Sequence, residues 1–359
     1  MVLFPGRRRP PSLCSAAVQP AHHPTSDSPE VDSRTRRPAF VQLALPDPER
    51  LRSSILAGLQ AEPAHTAPSL FYDELGSHLF SAITALDEYY PTRTEAELLA
   101  RHLPAIAAAA PVHGATLVDL GAGDCKKAAT LFAAVRPQHY VAVDVSVTFL
   151  RDALQRLQLQ HKNLPMTGVG TDFSSRLELP PSLPHGRRLF FYPGSSIGNF
   201  TPDAAVAFLR SVRPHMRDGG VLWIGVDLQK PIDVLERAYD DELGVTAAFD
   251  RNVLRHLNRL VGTDFVLADW RHLARYDVSH GRIEMHLEAV RDVAVRWPGG
   301  GRHFAKGARI HTENSYKHTL SGFTDLLTRA GLRTVGSWTD ARGWFAFFVA
   351  VPDGSSETH

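Results

Sequence analysis

The stretch Thr116-Leu117-Val118-Asp119-Leu120-Gly121-Ala122-Gly123-Asp124-Cys125-Lys126-Lys127 limits what this chain can fold into more than any other. Leu117 to Leu120 is a short apolar run that reads as a buried strand, and it stops at two glycines one residue apart. Ala128, Leu131, Phe132 and Val135 then recur at helical spacing. Strand, glycine turn and helix form the opening unit of a nucleotide-binding α/β fold. Glycine is needed where the backbone turns tightly and lets a ligand approach its amides. The next strand, Tyr140 to Val143, ends in Asp144. A carboxylate roughly 20 positions past the glycine turn is placed to accept from ribose hydroxyls.

The kind of nucleotide follows from what is missing. A dinucleotide fingerprint wants a third glycine where Cys125 and Lys126 stand, and no Gly-Lys-Ser/Thr phosphate loop is present. Asp119 ahead of the glycines suits S-adenosylmethionine (SAM), which has no pyrophosphate to cradle. The pattern therefore favours SAM over NAD.

The chain has 359 residues, enough for one large domain or two smaller ones. Its formal net charge is +1 with dispersed basic residues, so no nucleic-acid partner is expected. Of the two cysteines, Cys14 lies in a Pro-rich tail and Cys125 in the glycine loop. A disulfide between them is not expected, which fits a reducing, cytoplasmic setting. No apolar run is long enough for a membrane span, and no metal-ligand spacing is seen. No conspicuous apolar patch is identifiable, so a monomer is expected.

Residues 1–38, rich in Pro, Arg and Ser, read as a disordered tail. From about Phe40 to Pro91 the chain reads as helical and compact, with Leu51, Ile55, Leu56 and Leu59 at helical spacing. Tyr72, Phe80, Tyr89 and Tyr90 lie close together there, either as core or as the lining of a small amphipathic pocket. Thr94-x-x-Glu97 has the form of a capping box that starts the helix leading into the nucleotide domain. A helix over Phe149 to Leu157 and a short strand ending at Val169-Gly170-Thr171-Asp172-Phe173 follow. Asp172 and Phe173 form either a simple turn or an adenine contact. A fourth strand, Arg188 to Tyr192, runs into Pro193-Gly194-Ser195-Ser196-Ile197-Gly198-Asn199. Ligands of open α/β sheets bind beyond the strand carboxyl ends, which makes Asn199 the best polar candidate of that loop, unless it only caps the next helix. Thr201-Pro202 starts that helix. After a fifth strand ending at Asp227 the alternation breaks into an insertion of helices and β-like runs. A helix over Leu320 to Ala330 and a terminal β-hairpin close the chain.

Several stretches, in order, resemble the histidine-specific Nα-methyltransferases of ergothioneine biosynthesis. They include Phe71-Tyr72-Asp73-Glu74-Leu75-Gly76-Ser77, Glu88-Tyr89-Tyr90-Pro91-Thr92-Arg93-Thr94-Glu95, Gly194-Ser195-Ser196-Ile197-Gly198-Asn199, Ala238-Tyr239-Asp240-Asp241, Arg282-Ile283-Glu284-Met285 and Thr312-Glu313-Asn314-Ser315. The resemblance runs from about Leu70 to Val351. It implies a Rossmann-like class I SAM-dependent methyltransferase with a second, substrate-binding domain. The implied segments are 39–93 for the N-terminal part of the substrate domain and 94–227 for the SAM domain. Residues 228–316 would be the insertion completing the substrate domain, and 317–359 the return to the methyltransferase domain.

The resemblance also implies roles. Gly121, Gly123, Lys127, Asp144, Asp172 and Phe173 would contact SAM. Asn199, Tyr72, Tyr89 and Gly194 would surround the amino-acid end of histidine, and Phe80 would line the amine pocket. Tyr239 would hold the carboxylate. Glu313 and Ser315 would hold the imidazole, with Met285 and Thr246 packed nearby. Asp124-Cys125-Lys126 departs from the family's usual glycine loop, where Ser or Thr and then Glu precede the lysine.

The expected reaction is methylation of the α-amino nitrogen by Asn199-directed orientation, with Tyr72 relaying the proton through water and no histidine or carboxylate base at that end. The rival readings are a methyltransferase of the same fold acting on another amino acid or amine, a nicotinamide-dependent oxidoreductase, and a non-enzymatic SAM-binding protein.

Overall fold

The computed structural model describes residues 36–43, 47–173 and 176–354. Apart from its last three residues, the tail expected over 1–38 lies outside the described residues.

The strands expected from apolar runs pair into one eight-stranded sheet. Its spatial order is Ala39–Gln42, Met166–Gly170, His139–Asp144, Thr116–Leu120, Arg188–Tyr192, Val221–Asp227, Phe345–Pro352 and Leu332–Thr339. The first six are parallel; Phe345–Pro352 runs antiparallel to both its neighbours, as the terminal hairpin predicts. Strands covered on both faces read as continuous apolar runs, and the two faces carry separate cores. Val118, Val141, Phe190 and Ile224 point to one; Leu117, Tyr140, Phe191 and Trp223 point to the other.

Chain order reverses between Thr116–Leu120 and Arg188–Tyr192, whose neighbours lead off in opposite directions. A crevice opens at the carboxyl ends of such a strand pair. The glycine loop and the Pro193–Asn199 loop both start there.

A third core joins the helices Pro48–Gln60, Glu74–Ile83 and Val245–Val261 to a smaller four-stranded sheet ordered Ala64–His65, Arg309–Tyr316, Arg282–Ala289 and Trp270–Asp277. Ile55, Phe71, Phe249, Leu254, Ile283 and Leu287 are buried in it. N-terminal and late segments thus share one hydrophobic interior.

Three local expectations are corrected. Residues 39–42, read as part of the helical N-terminal region, form an edge strand parallel to Met166–Gly170. The helix read as starting at Thr94 starts at Tyr90 and runs to Ala109, with Pro91 in its first turn. Proline's fixed φ suits that position, so Thr94 sits inside the helix, where its hydroxyl accepts from Arg342 Nη2 at 3.2 Å. The single helix expected after the glycine loop is two short pieces, Lys126–Ala129 and Phe132–Val135. Among the described residues no helix is long and apolar enough to cross a membrane.

Candidate active site

The glycine loop folds as its sequence demands. Gly121 and Gly123 take φ values of +72° and +51°, in the left-handed region that side chains disfavour. The Gly121 and Ala122 N–H groups donate to Val143 O, which fixes the loop against the neighbouring strand. Asp144, at the end of that strand, accepts from Gly123 N and Ser146 N, both at 2.8 Å. Burial raises its pKa above the ordinary carboxylate range, while these amides pull the other way. Phe173 lies 3.9 Å from where a Cβ on Gly121 would stand. Asp172 is exposed beside it. The crevice therefore gathers the glycine loop, Asp144 and the Asp172-Phe173 pair.

Lys127 is held by a residue to which the sequence reading gave no role. Its Nζ lies 2.6 Å from Glu95 Oε2, and Glu95 also accepts the Gly194 N–H at 2.9 and 3.1 Å. Glu95 is buried in the Tyr90–Ala109 helix. Charge-assisted hydrogen bonds of this kind are the stronger ones, so one carboxylate ties the glycine loop to the Pro193–Asn199 loop.

Beyond Gly194 lies a cavity lined by all ten residues expected around the substrate: Tyr72, Phe80, Tyr89, Gly194, Asn199, Tyr239, Thr246, Met285, Glu313 and Ser315. Glu313 and Ser315 sit two apart on Arg309–Tyr316, so both face one way. The register of that strand shifts between His311 and Glu313, and Glu313 pairs with Met285 across the sheet. Such bulges re-aim side chains beside sites. Gly198 makes the approach of Asn199 possible, because a Cβ there would stand 2.8 Å from Tyr316 O. As a result Asn199 Nδ2 lies 3.4 Å from Glu313 Oε2. The sequence reading assigned these two to opposite ends of the substrate; in the fold they lie within hydrogen-bond distance of each other. Burial first, and then the charge of Asp250, push the Glu313 pKa up to about 8, against the opposing pull of Lys317.

Aromatic rings wall the other side. Tyr72 and Phe80 meet edge to face at 5.8 Å, Phe80 and Tyr89 at 6.3 Å. Phe249, given no role in the sequence reading, completes the wall 5.9 Å from Phe80 and 6.0 Å from Tyr72. Burial holds the Tyr72 and Tyr89 phenols well above their ordinary pKa, so both stay neutral.

Behind Tyr239 and Ser315 runs a buried polar network. Their hydroxyls are 2.8 Å apart, and Lys317 Nζ reaches Tyr239 Oη at 3.0 Å, Ser315 Oγ at 2.8 Å and Asp227 Oδ2 at 2.9 Å. Asp227 also takes Lys230 at 2.6 Å and the Tyr90 hydroxyl at 2.5 Å, while its own N–H donates to Ser195 Oγ. Burial works against the Asp227 charge, but Lys317 and Lys230 outweigh it and hold its pKa low. The sequence reading assigned no part to this network. A lysine alternating with Ser315 along a strand, and an aspartate closing another, gave the only signal.

A profile of SAM-dependent, histidine-specific methyltransferases matches residues 51–352. The histidine N-alpha-methyltransferase of Mycolicibacterium smegmatis is 40% identical over 310 residues, covering 84% of this chain and 95% of that protein. The protein of the same description from Mycobacterium tuberculosis is 38% identical over 308 residues, covering 84% and 94%. Ergothioneine biosynthesis protein 1 of Neurospora crassa is 32% identical over 290 residues, which cover 77% of this chain and 32% of that longer protein.

Proposed function

The chain belongs to the family of SAM-dependent histidine-specific methyltransferases, and from that premise we propose that it methylates the α-amino nitrogen of L-histidine, up to trimethylhistidine (hercynine), as the first step of ergothioneine biosynthesis.

The residues of the crevice suit SAM. Asp119 Oδ1 is buried at the strand end without a hydrogen-bond partner among the described residues, and a Cβ on Gly123 would meet nothing within 4 Å, so that side of the loop is open to a ligand. Bound SAM supplies a methyl group on a positively charged sulfur. Gly121, Gly123, Asp144, Asp172 and Phe173 are the groups we assign to holding it. Lys127, engaged by Glu95, orders the loop and is likewise assigned to SAM.

At the acceptor end Asn199 orients the α-nitrogen, with Tyr72, Tyr89 and Gly194 around it. An α-amino group has a pKa of about 8 in peptides, so a proton must leave before each transfer. Tyr72 stays a neutral phenol and passes that proton along a water rather than keeping it. Positioning supplies most of the rate. As methyl groups accumulate, the nitrogen becomes a fixed cation, which the faces of Phe80, Tyr89 and Phe249 stabilise. Tyr239 takes the carboxylate end. Glu313 and Ser315 take the two ring nitrogens, with Thr246 and Met285 packed against the ring.

The observation that supports histidine most directly is the convergence of Glu313, Ser315 and Asn199 on one cavity. Its polar groups would be left unpaired by an apolar side chain, and buried sites of this kind reject analogues lacking their partners. Mass spectrometry of the protein with SAM and L-histidine, beside Glu313→Ala, tests the reading. Successive methyl gains on histidine that the variant loses or greatly weakens are expected. Binding of SAM without methylation of histidine would overturn the substrate assignment. We also infer a cytoplasmic monomer, which size-exclusion chromatography and cell fractionation test.

A further inference from the structure

Asp227 stands between two buried ammoniums. Lys230 Nζ lies 2.6 Å from its Oδ1 and Lys317 Nζ 2.9 Å from its Oδ2, and all three side chains are almost wholly out of water. The remaining partners of the two lysines are neutral: Tyr90 Oη and Leu228 O for Lys230, Tyr239 Oη and Ser315 Oγ for Lys317. Two cations meet one anion, so the group carries one positive charge in excess. A buried charge without a counter-charge is costly.

The other ionisable groups that act on this cluster do not supply the missing anion. Asp340, which acts on Lys230, accepts from the Arg342, Trp344 and Phe345 N–H groups and lies 3.7 Å from the Arg342 guanidinium. Glu313, on which Lys317 acts, keeps most of its proton at pH 7, since burial pushes its pKa up to about 8. His318, whose pKa burial lowers to about 4, is uncharged there. Burial also lowers the Lys230 pKa, to about 8 and against the pull of Asp227, which leaves it mainly an ammonium at pH 7.

The excess charge meets the cavity through one wall. Lys317 stands behind Tyr239 and Ser315, which line the cavity and whose hydroxyls are 2.8 Å apart. Tyr239 Oη has two lone pairs, enough to accept from both Lys317 and Ser315, and its O–H is then free for a ligand oxygen. A hydroxyl that accepts from a cation in a low-dielectric interior is polarised into a stronger donor. We propose that Lys317 is a positioning residue that makes the site select for a carboxylate: its buried positive charge, acting through the Tyr239 hydroxyl, separates an α-amino acid from the amine that lacks the carboxylate. The proposal rests on the reading that Tyr239 takes the carboxylate end of the substrate.

Two ligands that differ only in that group test it: N,N,N-trimethylhistidine and N,N,N-trimethylhistamine, both with a permanently charged nitrogen. Each is titrated calorimetrically at pH 7 into the protein holding S-adenosylhomocysteine. Wild type should prefer trimethylhistidine by about 100-fold or more. Lys317→Met leaves Asp227 paired with Lys230 and no charge in excess. The preference should then shrink by at least about tenfold, because trimethylhistidine binds more weakly while trimethylhistamine binds as well or better. A lysine with only a structural part would weaken both ligands alike and leave the ratio where it was. Lys230→Met removes the same excess from a residue whose bonds go to Asp227, Tyr90 and Leu228. It should shrink the ratio several-fold, and it carries the test where Lys317→Met does not fold. The wild-type ratio in either variant overturns the proposal, and so does a wild-type protein that binds both ligands equally. Failure of the underlying reading looks different: Tyr239→Phe would keep the wild-type ratio, which places the carboxylate elsewhere in the site and removes the proposal with it.

Discussion

Glu95 Oε2 lies 2.6 Å from Lys127 Nζ, and the same carboxylate accepts the Gly194 amide. One buried side chain on the Tyr90–Ala109 helix therefore joins the loop assigned to SAM to the loop assigned to the amino acid. In Glu95→Gln one end of the amide can still accept from Gly194, but the charge that engages Lys127 is gone. Loss of a hydrogen bond to a charged group is expected to cost about 1–3 kcal/mol of stability. SAM should bind about tenfold more weakly, equivalent to about 1.4 kcal/mol. Denaturant unfolding and SAM titration of the variant check both numbers. Unchanged SAM affinity would mean that the clamp is structural only.

Gly198 decides whether Asn199 and Glu313 can meet. A Cβ at position 198 would stand 2.8 Å from Tyr316 O and 3.3 Å from Tyr316 N, both backbone atoms that cannot swing aside. Gly198→Ala should push the loop off the strand and lower kcat on histidine by at least tenfold, since small misplacements near the reacting atoms are costly. SAM affinity should change little, because the glycine loop is not in that contact. A kinetic comparison beside SAM titration separates the two effects; a variant with wild-type kcat would show that the Asn199–Glu313 approach does not matter for transfer.

The large sheet was legible because its strands are buried on both faces, so each reads as an apolar run closed by glycine, proline or aspartate. The short edge strand at 39–42 was not, since four residues with exposed ends and a half-buried middle carry no period. The Thr94-x-x-Glu97 pattern misled because Pro91 outranks it as a helix start. Around the cavity, Tyr72, Phe80, Tyr89 and Asn199 were candidates from the residues themselves, whereas Gly194, Tyr239, Thr246, Met285, Glu313 and Ser315 were named only through family resemblance, since Glu313 and Ser315 alone read as surface. Pairings between distant residues stayed invisible. Glu95 meets Lys127 across 32 positions, and Lys317 meets Asp227 from the far side of the insertion. Nothing local in a sequence separates a lysine buried on an aspartate from one in water; only the fold supplies the partner.

Phe249 stands in the aromatic wall with Phe80, Tyr72 and Tyr89. A fixed ammonium beside aromatic faces gains about 0.5–2 kcal/mol, and the gain matters most once methyl groups have displaced the amine's hydrogen-bonding protons. Phe80→Leu keeps the apolar volume but removes a ring. It should slow the later methylations by several-fold more than the first, so that mono- and dimethylated histidine accumulate. Time-resolved mass spectrometry reads the distribution directly. Equal slowing of all three steps would point to lost packing instead.

Glu313 carries a pH signature of its own. Its carboxyl holds a proton up to about pH 8 in the folded protein, whereas in an unfolded chain a glutamic acid loses it near ~4.3. Between those values the folded state binds more protons than the unfolded one, so stability falls as pH rises. The contribution is fully present below the unfolded pKa and lost as pH passes through the folded one. On the order of a few kcal/mol is at stake for a carboxyl this deeply buried. Glu313→Gln has no such proton to lose, so without ligand it should be the more stable protein at pH 8.5 and differ little near pH 5. Urea unfolding of both proteins at the two pH values decides it. Parallel behaviour of the pair would show that Glu313 is already ionised in the empty cavity, and a glutamine that gains stability only on the alkaline side would show that the wild-type carboxylate is kept there at the expense of the fold.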